Sequence, residues 1–422
     1  MGEPNSYVFV SQRYPPEKGG NASRIRDLAA NVADGARVTV LAPPPCYPPG
    51  NFDQSWERTE SERIDGVIVR RLWSWQPQTE NPGLFRRLPY YLLFAVHTVL
   101  WLVWNHRCYD VVLTSTPPIT TGIPGLAAAS LGIPWVVDVR DLWIENSVAL
   151  GYVDADSPLV GASQWFQRLV LRTADRITVT TESLGAAITD KYGSQLGGRI
   201  RHVPNGVDTD LFAPRARQAE SDGAGPPIIV YTGNIGSAQP LGPCIRAMGE
   251  LSHDDAILRF VGDGDERSRL EGLTKRLGLE DRVEFVGLVD RDSVPGHIND
   301  AVVGLAPIKD ATELAYAMPT KSYEYLACGV PVVVTGRGEV QRFVEDSGGG
   351  RHAEVDPAAI AEALDAMLAS PERRDQMGTT GRKHVVQQYD RAAIADRLDS
   401  LLSSLVSAEP TETETQRSAV ES

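Results

Sequence analysis

The sequence is poor in the patterns that build metal centres, disulfide frameworks and nucleophilic catalytic centres. Its four cysteines, Cys46, Cys108, Cys244 and Cys328, form no Cys-x-x-Cys pair, and its seven histidines show no paired ligand spacing. Cysteines scattered over 422 residues are typical of free thiols in a reducing compartment. Neither a Gly-Lys-Ser/Thr phosphate loop nor a Gly-x-Ser-x-Gly elbow occurs, which counts against P-loop NTPases and α/β-hydrolases. We expect no metal centre.

Positive charge is also in short supply. Lys and Arg together number 41 against 55 Asp and Glu, so the net charge is −14. Phosphate attraction needs a basic face, so we expect no nucleic-acid partner, although one local anion site remains possible. The segment before Tyr7 lacks a basic leader followed by an apolar stretch, so we expect no secretory signal and a cytoplasmic location.

What the sequence does contain is one pattern that occurs twice. A short apolar strand at 7–10 leads into a loop ending in Gly19-Gly20 and then into a helical stretch at 21–32. A second strand at 228–231 leads into a glycine loop at 233–236 and a helical stretch at 241–251. Nucleotide-binding α/β domains usually open in this way. The repeat predicts two such domains in tandem; the other interpretation is one long α/β sheet.

Near-continuous apolar runs alternate with helical segments in both halves, which predicts buried parallel strands. A polar stretch rich in Gly, Ala and Pro separates the halves and predicts a linker. We predict an N-terminal domain at 1–213, a linker at 214–227, a second domain at 228–388, a C-terminal helix at 389–406 and a disordered tail at 407–422. Predicted strands are 7–10, 38–41, 67–70, 111–114, 136–139, 177–180, 228–231, 257–261, 283–286, 302–306 and 332–335.

The stretch from Leu88 to Trp104 is unusually apolar for such a domain. Arg86 and Arg87 precede it, and Trp101 and Trp104 close it. A basic flank, an aliphatic body and an aromatic end are typical of a helix that lies in a membrane interface. We expect peripheral membrane contact through this helix. The alternative is a helix buried in the first domain.

Charged residues follow the apolar strand at 136–139. Ligands of open α/β sheets bind at the carboxyl ends of the strands, so Arg140 is a candidate for holding a phosphate, and Asp141 for accepting from sugar hydroxyls or acting as a base. Glu145 faces the same way if a helix begins there. The alternative is an internal salt bridge between Arg140 and an aspartate.

The most informative segment runs from Met318 to Pro331. Pro319 and Thr320 are typical of a helix start and Gly329 of a helix end, so Lys321 and Glu324 share a face in the first turns. A cation at a helix N-terminus is electrostatically unfavourable unless an anion also lies there, and a diphosphate meets that requirement. A carboxylate on the same face can accept both hydroxyls of a ribose. The alternative is an exposed surface ion pair.

These segments, in this order, resemble glycosyltransferase family 4 enzymes of the GT-B fold. The resemblance is greatest to enzymes that assemble surface polysaccharides or glycoprotein glycans on lipid-linked acceptors. It rests on residues 15–20, 138–143, 203–208, 231–236, 261–264 and 319–329. It implies two Rossmann-like parallel-sheet domains facing a cleft, a C-terminal helix that crosses back to the first domain, and a retaining transferase that needs no metal. It also implies a nucleotide-sugar co-substrate, expected to be a UDP-sugar, and no other cofactor.

The resemblance also implies roles for individual residues. Glu324 matches the carboxylate that binds the ribose, and Gly287 and Val289 fall where backbone groups read the base. The leaving diphosphate needs positive charge, and since this sequence has Asn234 and Gln239 where the family often has Arg and Lys, we expect Lys321 and Arg140 to supply it, with Asp141 as the third candidate catalytic residue. The remaining predicted nucleotide-binding residues are Gly19, Gly20, Asn205, Gly233, Asn234, Gly262 and Gly264. We expect the acceptor on the first domain, at the inner face of the plasma membrane.

Two departures from the family pattern keep other functions open. The family spaces two glutamates eight residues apart, and the position eight before Glu324 is Tyr316. The family also often carries Arg and Lys where this sequence has Asn234 and Gln239. The alternatives are a UDP-sugar 2-epimerase, which acts on the donor alone, and a non-catalytic subunit of a glycosylation complex.

Overall fold

A computed structural model describes residues 4–17, 20–46, 52–77, 84–149, 151, 153–215 and 225–407. Two sheets organise this part of the chain, one before residue 203 and one after residue 227. The strands of the first sheet are β1 (Ser6–Val10), β2 (Arg37–Ala42), β3 (Thr59–Ile64), β4 (Val67–Leu72), β5 (Val111–Thr116), β6 (Trp135–Val139), β7 (Arg176–Val179) and β8 (Ile200–His202). Those of the second are β9 (Ile228–Thr232), β10 (Ile257–Val261), β11 (Val283–Gly287), β12 (Val303–Ala306), β13 (Val332–Thr335) and β14 (Gly350–Ala353).

Both sheets have the strand order of a Rossmann-like domain. The first runs β3-β4-β2-β1-β5-β6-β7-β8 and the second β11-β10-β9-β12-β13-β14. Every strand pairing is parallel except that of β3 with β4. In the first sheet the chain leaves β1 towards β2 and later leaves β5 towards β6, so the strand order reverses between β1 and β5. The predicted fold, two parallel-sheet α/β domains, is confirmed.

Helices cover both faces of each sheet. In the first domain α1 (Gly20–Val32) lies on one face, while α2 (Leu84–Asn105), α3 (Gly122–Ser130), α5 (Pro158–Thr173) and α6 (Glu182–Tyr192) contribute to the apolar core on the other. The short α4 (Trp143–Ala149) follows β6. The later helices are α7 (Leu241–Met248), α8 (Arg267–Leu277), α9 (Val294–Asn299), α10 (Thr320–Ala327), α11 (Glu339–Ser347), α12 (Pro357–Leu368), α13 (Pro371–Gln388) and α14 (Arg391–Ser407).

Three strands were not predicted from the sequence, namely β3, β8 and β14. The sequence of β3 is Thr-Glu-Ser-Glu-Arg-Ile, and it pairs antiparallel with β4 at the edge of the sheet, largely exposed. Strands β8 and β14 are also edge strands, of three and four residues. An edge strand buries too little side-chain area to require an apolar run, so the pattern that marks the central strands is missing from these three.

The last helix belongs to the core of the first domain. Apolar residues of α14, among them Ile394, Leu398 and Leu402, are buried with Ile25 and Leu28 of α1. The crossing is secured by backbone bonds from Val207 N to Tyr389 O (2.9 Å) and from Arg391 N to Val207 O (3.0 Å). Helix α14 extends through Ser407; residues 408–422 of the predicted tail and 216–224 of the predicted linker lie outside the described residues.

Candidate functional site

The two domains face each other across a cleft at the N-termini of α1 and α10. Gly20 is the first residue of α1, and Thr320 is the first residue of α10. A Cβ atom placed on Gly20 would lie 3.8 Å from the hydroxyl oxygen of Thr320. The free N–H groups at a helix N-terminus and the positive end of its dipole favour an anion. Two helices of at least eight residues therefore direct their positive ends into one cleft. Gly19 itself lies outside the described residues.

Lys321 adds a full positive charge beside these helix ends. Its Nζ lies 4.1 Å from the centre of the Tyr231 ring, a cation–π contact, and 3.7 Å from where a Cβ on Gly233 would stand. Burial lowers its pKa to about 8, against the opposing effect of Glu324. Lys321 is therefore not the exposed surface cation of the alternative interpretation.

Glu324 lies one turn further along α10 in a half-buried, positively charged setting. Burial raises the pKa of its carboxyl group, while the charges of Arg391, Lys321 and Arg291 oppose that rise. Three cations thus surround one carboxylate. These charges limit the rise in the pKa of Glu324 but do not reverse it, because burial has the larger effect.

Glycines shape the loops that follow β9 and β10. A Cβ on Gly262 would lie 2.0 Å from Gly233 O, and one on Gly264 would lie 2.4 Å from Ile235 O. Gly233 and Gly262 also have φ angles of 107° and 144°, which L side chains rarely adopt. The two loops therefore pack backbone against backbone beside Lys321. Asn234 lies in the first of them, where its carbonyl accepts from the Tyr231 hydroxyl (2.5 Å).

A cluster of ions joins the two domains beside Glu324. Asp27 of α1 accepts from Arg291 of the second domain (3.0 Å) and from Arg391 at the start of α14. Arg391 Nε also donates to the carbonyl of Asn205 (3.2 Å), so the predicted binding residue Asn205 meets this cluster through its backbone. The sequence did not predict the cluster, because its members lie far apart along the chain.

The first-domain wall of the cleft rests on a buried ion pair. Asp138, on β6, accepts from Arg24 of α1 (3.0 Å) and from the hydroxyls of Ser115 (2.9 Å) and Thr178 (2.8 Å). Burial alone would raise the pKa of Asp138, but the positive charge and hydrogen bond of Arg24 outweigh it, and the pKa is lowered. Arg24 also donates to Val203 O (2.9 Å) and ties the 203–208 turn to this wall.

Arg140 makes no salt bridge of the predicted alternative kind within the described part of the chain. Its guanidinium donates to the carbonyls of Thr116 (2.9 Å) and Pro117 (3.1 Å) at the end of β5. Burial lowers its pKa to about 10. Asp141 next to it has a raised pKa, again through burial, and its buried Oδ1 accepts no hydrogen bond from the residues that the structure describes. Both side chains keep polar capacity for a ligand.

Tyr316 fills the position of the missing first acid and reaches into the first domain. Its hydroxyl donates to Asn146 Oδ1 (2.5 Å), and its carbonyl accepts from the Thr181 hydroxyl (2.8 Å). The pKa of its phenol is raised by burial and by the nearby Asp141 carboxylate. Glu145, in contrast, accepts from the Tyr192 hydroxyl (3.0 Å) and forms a salt bridge with Lys191 (2.6 Å). It therefore does not take the place of the missing glutamate. At the position where the family pattern has a glutamate, Tyr316 therefore makes contacts between the two domains.

The remaining predicted residues lie at the end of β11. Gly287 accepts from the Gly262 N–H (2.9 Å), which places this loop beside the glycine loops, and Val289 is half-buried against the second-domain core. Over the described residues, no group of three or more His, Cys, Asp or Glu side chains is arranged to hold a metal ion. The cleft thus offers arginine, lysine, helix N-termini and backbone amides to a ligand.

Two parallel-sheet α/β domains that face each other across a cleft are the arrangement of the GT-B glycosyltransferases. The family model described as "Glycosyl transferase 4-like domain" matches residues 19–206, and "Glycosyl transferases group 1" matches residues 213–384. Together they cover most of the chain. The chain belongs to the glycosyltransferases that combine these two domains, and the resemblance to family 4 is confirmed.

Curated relatives carry glycosyltransferase names. The chain is 27% identical over 388 residues to D-inositol 3-phosphate glycosyltransferase 2 of Catenulispora acidiphila, covering 86% of this chain and 83% of that one. It is 25% identical over 335 residues to the putative colanic acid biosynthesis glycosyl transferase WcaI of Escherichia coli, covering 76% and 81%.

Solved structures share the fold at lower identity. Sucrose-phosphate synthase from Thermosynechococcus elongatus superposes with a TM-score of 0.76 at 21% identity, covering 96% of this chain and all of that one. WaaG, a glycosyltransferase involved in lipopolysaccharide biosynthesis, superposes with a TM-score of 0.67 at 17% identity, covering 94% and 99%. At these identities the comparison establishes the GT-B fold alone.

Proposed function

We propose that this protein is a metal-independent, retaining glycosyltransferase that moves a hexose-type sugar from a UDP-sugar to a lipid-linked acceptor. The observation that carries the proposal is the cleft at the start of α10, where Lys321 and two helix N-termini converge beside the Glu324 carboxylate. A diphosphate satisfies the positive groups, and a ribose satisfies the carboxylate.

In this proposal Lys321 and Arg140 perform the work of a metal ion. As the bond to the leaving diphosphate breaks, negative charge grows on it, and preorganised cations in a water-poor cleft stabilise that charge strongly. Lys321 contributes from the second domain and Arg140 from the first. Their role is charge stabilisation, and Asp141 is placed to bind a hydroxyl of the reacting sugars.

The acceptor end of the proposal rests on an apolar surface of the first domain. Helix α2 is long and apolar enough to cross a membrane by length and composition, yet Phe94, Thr98 and Leu102 pack fully buried in the domain. Its opposite side is exposed, with Val96 at 53%, Leu100 at 52% and Trp104 at 86%. A helix that is packed into the domain along one side and apolar on the other is suited to lie on the surface of a bilayer. In this proposal the enzyme meets its lipid-linked acceptor there, at the inner face of the plasma membrane.

Helix α5 also exposes apolar side chains. It packs against α3 on the same side of the sheet as α2 and exposes Leu159, Trp165 and Leu169. We predict that V96E/W165E weakens binding to vesicles containing anionic lipid by more than tenfold, because two charges would replace apolar contacts in the interface. Flotation with liposomes measures this directly.

The matched control for the vesicle experiment is Val386→Glu, which places the same charge on an exposed apolar site of α13 in the second domain. It should bind vesicles like the wild type. Equal vesicle binding by V96E/W165E and the wild type would contradict the membrane part of the proposal and leave the donor site untouched.

The donor part is tested by melting temperature with UDP, GDP or no nucleotide, each with and without EDTA. A relative from Mycolicibacterium smegmatis, 30% identical over 246 residues, is named a GDP-mannose-dependent mannosyltransferase, so both bases belong in the test. At 100 times its Kd a nucleotide adds about 2.7 kcal/mol of stability. We predict a UDP-selective rise that EDTA leaves unchanged and that Glu324→Gln reduces.

The outcomes separate the candidate functions. A rise with GDP alone would correct the base, and a rise that EDTA abolishes would contradict metal independence. Isomerised UDP-sugar formed without any acceptor would favour the epimerase. No rise with either nucleotide, in a protein with a cooperative melting curve, would contradict a donor site and favour a non-catalytic subunit.

A further inference from the structure

Several buried polar atoms at the carboxyl edge of the first sheet have no hydrogen-bond partner among the described residues. Gln12 is 2% exposed, and within the described part of the chain neither end of its side-chain amide has a hydrogen-bond partner. The Thr120 hydroxyl and Asp141 Oδ1 are likewise buried, and no described residue forms a hydrogen bond with either atom. The hydroxyl of the adjacent Thr121, in contrast, has two acceptors within hydrogen-bond distance, Ser115 O (3.0 Å) and Pro118 O (2.8 Å).

The strand register brings these three groups to neighbouring positions. Val10 pairs with Thr114 and Thr116 pairs with Val139, so Gln12 and Asp141 each come two residues after a paired strand end. Thr120 lies in the short turn that follows β5, between them. Neighbouring strands lie about 4.8 Å apart, so the ends of β1 and β6 are separated by about 10 Å.

This edge includes the crevice between β1 and β5, where the strand order reverses. Ligands of open α/β sheets bind in that crevice. A buried polar group without a partner is costly, and a ligand that supplies the missing bonds recovers that cost. The amide of Gln12 can donate to one hydroxyl and accept from its neighbour, and a carboxylate can accept from two.

We propose that Gln12, Thr120 and Asp141 form a binding site for one hydroxyl-bearing ring, a pyranose or a cyclitol. The inference rests on the proposed function, which it deepens, because it assigns the sugar-recognising residues of the first-domain wall. The ring belongs either to the transferred sugar or to the acceptor. Both present vicinal hydroxyls, which is the chemistry that this set of donors and acceptors matches.

The experiment uses the full-length chain and four ring polyols, namely glucose, mannose, galactose and myo-inositol. Saturation-transfer NMR measures their binding to the wild type, Gln12→Met and Thr120→Val, with and without saturating UDP. We expect saturable binding of at least one polyol to the wild type and a loss of tenfold or more in each variant. Because Met removes an unpartnered buried amide, Q12M should also raise the melting temperature by about 2 °C or more.

The matched control is Gln167→Met, midway along α5, where the side-chain Nε2 is also buried and has no partner among the residues described. It should melt no lower than the wild type and leave polyol binding unchanged. Polyol binding that is absent from the wild type or unaltered in Q12M would overturn the inference, and so would a lower melting temperature of Q12M.

The same samples separate this inference from the proposed function. If the wild type binds UDP normally but binds no polyol, only the proposed ring site is contradicted. If the wild type binds neither UDP nor GDP, the proposed donor site is contradicted. Competition then identifies the source of the ring. Displacement by a UDP-sugar, but not by UDP, assigns the site to the transferred sugar; polyol binding alongside the UDP-sugar assigns it to the acceptor.

Discussion

Affinity for the nucleoside diphosphate is expected to fall about tenfold for each pH unit above 8. Burial lowers the pKa of Lys321 to about 8, so the free protein loses this charge as the pH rises through that value. The diphosphate binds the charged form, and every pH unit above the pKa leaves a tenth as much of it. Isothermal titration calorimetry between pH 7 and pH 9.5 measures the slope.

Two variants of Lys321 sharpen this prediction. Lys321→Arg keeps a charge that does not titrate in this range, so the pH dependence should disappear while binding persists. Lys321→Met should bind weakly at every pH and lose transferase activity by about 100-fold or more, as expected when one preorganised charge-stabilising group is removed. An unchanged slope in K321R would assign the titration to another group and contradict the role of Lys321.

The second large effect concerns the buried pair of Arg24 and Asp138. We expect Asp138→Asn to destabilise the protein by about 3–5 kcal/mol, because it leaves Arg24 buried without a compensating charge. In the first domain this corresponds to a melting temperature lower by roughly 10 °C. Since the pKa of Asp138 is lowered on folding, its stabilising contribution is present above the unfolded value, about 3.9, and is lost as the pH falls towards the folded value.

The control is the other ion pair made by α1. Arg26 and Asp65 lie 2.7 Å apart, but their side chains are 37% and 42% exposed. Exposed pairs contribute at most about 1 kcal/mol, so Asp65→Asn should melt within a few degrees of the wild type. Asparagine also tolerates the positive φ of 47° at this position. Equal effects at Asp138 and Asp65 would contradict the argument from burial.

The fold was largely predictable because its central strands are buried on both faces. Runs such as 228–231 and 332–334 have to be apolar throughout, and the glycine loops that follow strands are local in sequence. The edge strand β3 could not be predicted, since exposure removes the hydrophobic requirement that would mark it.

Which residues of the candidate site lie close together was predictable only within one turn or loop. Lys321 and Glu324 share a helix, and the glycines are neighbours of their strands. Three contacts of the site join residues that lie 90 to 170 positions apart. They are the cation–π contact of Lys321 with Tyr231, the salt bridge of Arg24 with Asp138 and the hydrogen bond of Tyr316 with Asn146. No pattern along one sequence encodes such distances, so the interpretation of Arg140 as a salt-bridge partner could not be resolved without the structure.

Helix α14 bears on the order of events during synthesis on the ribosome. The apolar core around α1 is completed by Ile394, Leu398 and Leu402, and the polypeptide from residue 203 to residue 390 must be made before they emerge. At 5–20 residues per second that interval lasts about 10–40 s. The first domain to be synthesised is therefore the last to be finished, and its α1 surface is one that a nascent-chain chaperone would meet.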